Sequence, residues 1–167
     1  KSSGKLRGQK RDLYDGGIRV PLIVRWPGKV KAGSTASHIG CFQDFLVTAA
    51  ELAGADAPSG TDGISFVPTL LGKEQKQHPY LYWEFYERGY SQAVRMGNYK
   101  GVRRSAGRPV ELYDVTSDIG ERNDIAAGNP GLVKKVLDAF EEAHTPSPHW
   151  KARVPKKKTR PKKIEKK

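Results

Sequence analysis

Few residues of this chain are of kinds that perform chemistry, and their spacing narrows the field further. Cys41 is the only cysteine, so neither an intrachain disulfide nor a cysteine metal cluster is open to it. It leads into an apolar helical pattern, where a free cysteine behaves as a small buried residue. The four histidines, His38, His78, His144 and His149, show no His-x-His or His-Glu-x-x-His spacing, and no Gly-x-Ser-x-Gly elbow accompanies them. All four read as structural or solvated. Calcium takes about six to eight oxygen ligands, yet no Asp-x-Asp or comparable acidic cluster occurs. Asp12 and Asp15 flank Tyr14 and read as turn or surface residues, so no complete metal site is expected. Lys10 stands in a basic loop with Lys5, Arg7 and Arg11. By composition it is a solvated lysine; held in a dry site, the same ammonium would stabilise charge growing on an anion. Gly16-Gly17 reads as a tight backbone turn that aims Lys10 rather than as an anion cradle.

The elements that must position these groups follow from periodicity. Residues Lys1–Gly17 read as a polar loop. Ile18–Trp26 is a β-rich run closed by Pro27-Gly28, with apolar side chains nearly continuous from Val20 to Val24, as in a strand covered on both faces. Gln43–Leu52 carries Phe45, Leu46, Ala49, Ala50 and Leu52 at helical spacing, with Gly54 as its stop. A short apolar segment, Phe66–Leu71, ends at Gly72. The period then changes to two. Tyr80–Glu87, Tyr90–Met96, Lys100–Arg104 and Glu111–Val115 are short strands joined by tight connections, which predicts an antiparallel meander. Along the first of them, Tyr82 and Tyr86 fall opposite Trp83 and Phe85. This is the pattern of a packed strand, and Tyr86 or Arg88 lining a substrate cleft is its functional alternative. A helix opens at Asn129-Pro130, with Asn129 as N-cap, Pro130 at N1 and Leu132, Val133, Val136, Leu137 and Phe140 as its apolar stripe. The fold class expected is α+β: a four-stranded antiparallel sheet with a packed C-terminal helix, preceded by a strand–loop–helix piece.

Charge is unevenly spread. Of 30 Lys and Arg and 18 Asp and Glu, ten bases and one acid fall in Lys151–Lys167. The body is therefore nearly neutral, and the formal net charge of +12 belongs mostly to the tail. Such a tail cannot bury enough surface to fold and favours polyanions through counterion release. No run of 18 apolar residues exists to span a membrane, and Lys1-Ser2-Ser3-Gly4 does not read as a signal peptide. The start at Lys1, and a first strand with no partner in the sequence, read as a piece of a longer protein. Three parts are expected: 1–72, a remnant of a larger α/β domain; 73–150, an antiparallel-sheet subdomain; and 151–167, a disordered basic tail.

Five segments in order resemble the sulfatase family of the alkaline phosphatase superfamily. They are Leu6–Pro21, with Lys10 and Tyr14-Asp15-Gly16-Gly17, into Trp26-Pro27-Gly28; Gln43-Asp44-Phe45-Leu46-Val47-Thr48 through Gly54; Asp62-Gly63-Ile64-Ser65-Phe66 with Leu70-Leu71-Gly72; Ala93–Lys100; and Glu111-Leu112-Tyr113-Asp114 with Asp118-Ile119-Gly120-Glu121 and Asn123. The resemblance covers about Leu6 to Phe140 and departs at Asp15, where relatives commonly carry the longer glutamate. It implies a parent that hydrolyses aryl or carbohydrate sulfate esters with a formylglycine nucleophile and a nearby calcium ion. Cys41, followed by Phe42-Gln43-Asp44-Phe45, does not fit the nucleophile motif. The resemblance also implies that Lys10 is the catalytic, sulfate-contacting lysine, that calcium binds in the full-length parent and not in this chain, that the chain alone is inactive, and that the parent is periplasmic or secreted. The alternative is a non-enzymatic module that binds sulfated glycan or nucleic acid through its basic tail.

Overall fold

The computed structural model of the chain describes residues 3–87 and 89–150. Arg88 and the whole basic tail, 151–167, lie outside the described residues, and with them the expectations placed on both. The described residues divide into two compact units, one of residues up to 18 together with those from 82 on, the other of residues 19–81.

The first unit is built on the predicted meander. Strands β1 (Leu81–Phe85), β2 (Ser91–Met96), β3 (Tyr99–Arg103) and β4 (Glu111–Asp114) form one sheet in the order β1-β2-β3-β4. The β2–β3 hairpin turns at Gly97 (φ 55°), which supplies the positive φ that a two-residue loop demands. That turn pairs Met96 with Tyr99 and Arg95 with Lys100; β3 then pairs antiparallel with β4, Lys100 opposite Tyr113 and Gly101 opposite Leu112. Because side chains alternate along a strand, the register sorts the two faces. One gathers Ala93, Val102, Tyr113 and Val115 with Leu13 and Tyr14, and Trp83 and Phe85 pack against this cluster. The other meets α4 (Pro130–Ala143), whose Val136 and Phe140 are fully buried. Gly101 is required there, since a Cβ would collide with the Val136 side chain. Phe140 lies under the Arg103 guanidinium and beside Tyr82.

Asn129 precedes α4 as expected, but its side chain does not cap the helix. Its amide donates to the Ile125 carbonyl at the start of the preceding 3-10 turn (2.8 Å), and its own carbonyl accepts from Leu132 and Val133. The four-residue helix α1 (Asp15–Ile18) stands where a glycine turn was expected.

In the second unit, α2 (Gln43–Ala53) ends at Gly54 in the left-handed conformation, and α3 (Val67–Leu70) precedes Gly72 in the same conformation. The strand expected over Ile18–Trp26 does not form: residues 19–26 pair with no strand among the described residues, and Leu22 and Ile23 are 69% and 90% exposed. An apolar run becomes a strand only when a neighbour takes up its backbone hydrogen bonds, and none of the four strands does so. No helix among the described residues is long and apolar enough to cross a membrane.

Candidate functional site

Lys10 is exposed at the tip of a tight turn. The Asp12 N–H donates to the Gln9 carbonyl (2.8 Å), and the Gln9 N–H donates to Asp12 Oδ2 (2.9 Å). Arg11 next to it adopts the left-handed region (φ 79°), sparsely populated for residues with a Cβ. Both flanks of this turn are anchored. On one side the Arg7 guanidinium lies 3.8 Å over the Tyr14 ring and donates to the Tyr113 hydroxyl (2.8 Å) and the Glu121 carbonyl (2.6 Å). On the other, the Gly16 N–H donates to the Arg7 carbonyl (2.6 Å). A Cβ on Gly16 would strike the Arg7 and Gly8 carbonyls, and one on Gly17 those of Gln9 and Asp12. The glycine pair therefore serves close backbone approach. The Tyr14 and Tyr113 hydroxyls both donate to Glu111. Burial, reinforced by that acceptor, raises the Tyr14 phenol and pushes Tyr113 up to about 12.

Beneath the turn lies a buried charge cluster. Lys100 Nζ donates to Asp15 Oδ1 (2.6 Å) and stands 2.9 Å from Glu121 Oε1, while the Asp15 N–H donates to Glu121 Oε2 (2.7 Å). All three residues are buried, Lys100 and Glu121 completely. Asp15 is thus no surface residue, and its shorter side chain reaches the lysine directly. One ammonium faces two carboxylates. Burial raises the Glu121 carboxyl, and Lys100 opposes this without cancelling it. Glu121 is also left-handed (φ 49°), and in that conformation its carbonyl meets Arg7 while its carboxylate meets Asp15 and Lys100.

Tyr86 follows β1 with its ring against Tyr90 and Trp150, at centroid distances of 5.0 and 6.0 Å. Its hydroxyl donates to Glu84 (3.1 Å), which also accepts from Tyr82 (2.6 Å) and Tyr90 (2.9 Å) and lies 2.8 Å from His144 Nδ1. Burial works against ionisation of Glu84, but the bonds from Tyr82, His144, Tyr90 and Tyr86 together outweigh it and lower the carboxyl. Lys10 and Tyr86 each belong to the first unit; Arg88 lies outside the described residues.

The second unit is organised by Asp44, fully buried in the first turn of α2. Oδ2 accepts from the Cys41 N–H (2.8 Å), reaching back as in a capping box. Oδ1 accepts from the Ile64 N–H (2.8 Å) and lies 2.8 Å from His78 Nε2. Thr48, one turn on, accepts from the Phe66 N–H (3.1 Å). Burial opposes ionisation of Asp44, but the Ile64 and Cys41 N–H groups and His78 prevail and lower its carboxyl. Burial, then Asp44, pushes the half-buried Cys41 thiol up to about 11.

Sequence reasoning missed Lys100, Glu121, Glu84 and Asp44 as organising residues. One of them left a signal. The two-residue turn at Gly97 puts Arg95 opposite Lys100, and like charges facing across a strand pair are unfavourable, so an acid had to come from elsewhere.

Comparison with known proteins bears on the whole of this arrangement. Residues 8–143 match the family described as N-sulphoglucosamine sulphohydrolase, C-terminal. Human arylsulfatase A is 34% identical over 166 residues, covering 84% of this chain and 32% of that protein. Mouse steryl-sulfatase is 30% identical over 175 residues, covering 85% and 28%. Among solved structures, Ps i-CgsB in complex with k-i-k-neocarrahexaose superimposes with a TM-score of 0.73 at 28% identity, over 82% of this chain and 31% of that one. A structure in complex with its substrate D-glucosamine-2-N,6-O-disulfate gives a TM-score of 0.62 at 28% identity, over 72% and 27%. The chain spans less than a third of the length of these relatives.

Proposed function

Because this chain belongs to the sulfatase family as its C-terminal region, we propose that it completes a hydrolase of sulfate esters, aryl or carbohydrate, and brings Lys10 to the sulfo group. The observation that carries this reading is the contrast at residues 7–17. The Lys10 side chain is free to meet a ligand, while Arg7, Tyr14, Asp15, Gly16 and Gly17 fix the backbone on either side of it. A preorganised ammonium is what transition-state stabilisation asks for: placed beforehand, it stabilises developing charge on the sulfate oxygens without reorganising during the reaction. Tyr86, with its hydroxyl held by Glu84, offers a ring face for a sugar in the same reading.

The nucleophile and calcium belong, in this proposal, to residues outside the chain. The candidate ligand group among the described residues, Cys41 with Asp44 and His78, offers one carboxylate, a thiol and an imidazole, which is not the oxygen-rich set calcium needs. Export of the parent belongs to the same proposal.

The test is made in the full-length parent. Lys10→Ala should lower kcat/KM for an aryl sulfate by about 10²–10³, mostly through kcat, with unfolding unchanged. Unaltered kinetics would remove Lys10 from the reaction. The isolated chain should show no turnover.

A further inference from the structure

We propose that Cys41, Asp44, His78 and His38 form a binding site for one divalent transition-metal ion of the zinc type. Cys41 Sγ, an Asp44 carboxylate oxygen and a His78 ring nitrogen all lie within 4.8 Å of one another. His78 Nε2 stands 2.8 Å from Asp44 Oδ1 and 3.9 Å from Cys41 Sγ. A tetrahedral zinc ion, with bonds of about 2.0–2.1 Å to nitrogen and oxygen and about 2.3 Å to sulfur, holds its ligand atoms about 3.3–3.6 Å apart. The observed spacings bracket that range, so shifts on the order of half an ångström admit the ion.

His38 stands outside the group of three within 4.8 Å and supplies the fourth ligand by a swing of its ring toward Asp44. Both of its ring nitrogens are buried without a hydrogen bond of good geometry, although the Gln77 amide stands beside the ring. Buried polar atoms are rarely left so. Gly40 keeps open the space between this ring and the carboxylate: a Cβ there would fall 2.9 Å from Asp44 Oδ2 and 3.2 Å from His38 Nε2. The sequence pattern is His-x-x-Cys-x-x-Asp with a distant His, outside the spacings considered from sequence.

Ligand softness selects the metal. Thiolate and imidazole favour zinc and its neighbours, whereas calcium and magnesium require oxygen. The Cys41 and Ile64 N–H groups already orient Asp44, as outer hydrogen bonds orient metal ligands. On binding, the Cys41 thiol releases its proton to solvent, His78 takes its Nδ1–H tautomer, and the His78–Asp44 hydrogen bond gives way to two metal bonds. The ion then ties residues 38–44 to residue 78 in the second unit.

The single cysteine makes the test direct. In the 167-residue chain, which has one cysteine, a thiol reagent reads Cys41 alone. One equivalent of Zn²⁺ should slow its modification by about tenfold or more, EDTA should restore the rate, and Ca²⁺ or Mg²⁺ should leave it unchanged. Co²⁺ in place of Zn²⁺ should add a thiolate-to-metal charge-transfer band. His38→Gln leaves the Asp44–His78 contact in place and should weaken protection about tenfold or more, as should His78→Gln. Modification indifferent to Zn²⁺, or protection that survives His78→Gln, overturns the site. Protection that survives His38→Gln overturns the four-ligand set.

Discussion

In residues 82–150 a set of large apolar side chains is enclosed, although Ile119, Leu137 and Trp150 are exposed. Val94, Val102, Leu112, Val136 and Phe140 are each at most 2% exposed. In α2 of the second unit the disposition is reversed: Phe42, Phe45, Leu46 and Leu52 of the helix and its lead-in are exposed, and its buried face holds Asp44 and Thr48, while Phe66 and Val67 are buried nearby in sequence at α3. The first unit rests on hydrophobic packing around one charge cluster, the second on a carboxylate and a hydroxyl that gather backbone N–H groups. The difference teaches that helical periodicity marks an apolar face without saying what covers it. Phe45 and Phe140 carry the same periodic signal, and only one of them packs inside this chain.

That contrast is breakable. Phe140→Ala should cost about 3–5 kcal/mol in denaturant unfolding of the first unit, while Phe45→Ala in this chain should stay within about 0.5 kcal/mol. Equal losses would erase the distinction between the two helices. Lys100→Met should likewise destabilise the first unit by about 3–5 kcal/mol, since it strands Asp15 and Glu121 as uncompensated buried acids. Hydrogen exchange should show the loss concentrated at residues 7–17 and in β3. Asp44→Asn should cost about 1–3 kcal/mol and speed exchange at Ile64 and through α2; unchanged exchange there would contradict the organising role of Asp44.

The smallest effect is in pH. The Glu121 carboxyl lies above its ordinary value in the folded chain, so the folded state binds its proton more tightly. The Glu121 contribution to the first unit therefore grows as pH falls through that value towards the unfolded one, near 4.3, whereas that of Glu84, whose carboxyl is lowered, is lost as pH falls further. The Asp44 carboxyl lies below its ordinary value. Its contribution to the second unit is intact above the unfolded value of about 3.9 and is lost as pH falls through the folded one. Residue-resolved exchange across mild acid should show the surroundings of Asp15 and Glu121 tightening before α2 loosens. The opposite order would refute the assignment.

Much of the first unit was legible because its partners lie within the chain. Strands separated by Gly97-Asn98 and Ser105-Ala106-Gly107, and the stripe through Val136 and Phe140, predict the sheet and α4 nearly to their ends. The run at residues 18–26 misled because near-continuous apolar character is equally that of a strand and of a segment awaiting a cover. The role of Lys10 was legible only through the resemblance, since a lysine among Lys5, Arg7 and Arg11 has no distinguishing composition. Asp15, Lys100 and Glu121 meet across more than 80 residues of sequence, and no local pattern encodes such a meeting.

The backbone of Glu121 carries a consequence for synthesis. Its carbonyl and carboxylate complete the hydrogen bonding of Arg7 and Asp15, 114 and 106 residues earlier. Residues 7–17 therefore cannot make these contacts until residue 121 has left the ribosome. Ordering of the lysine-bearing turn is a late event in the birth of the chain, set by loop closure rather than by local preference.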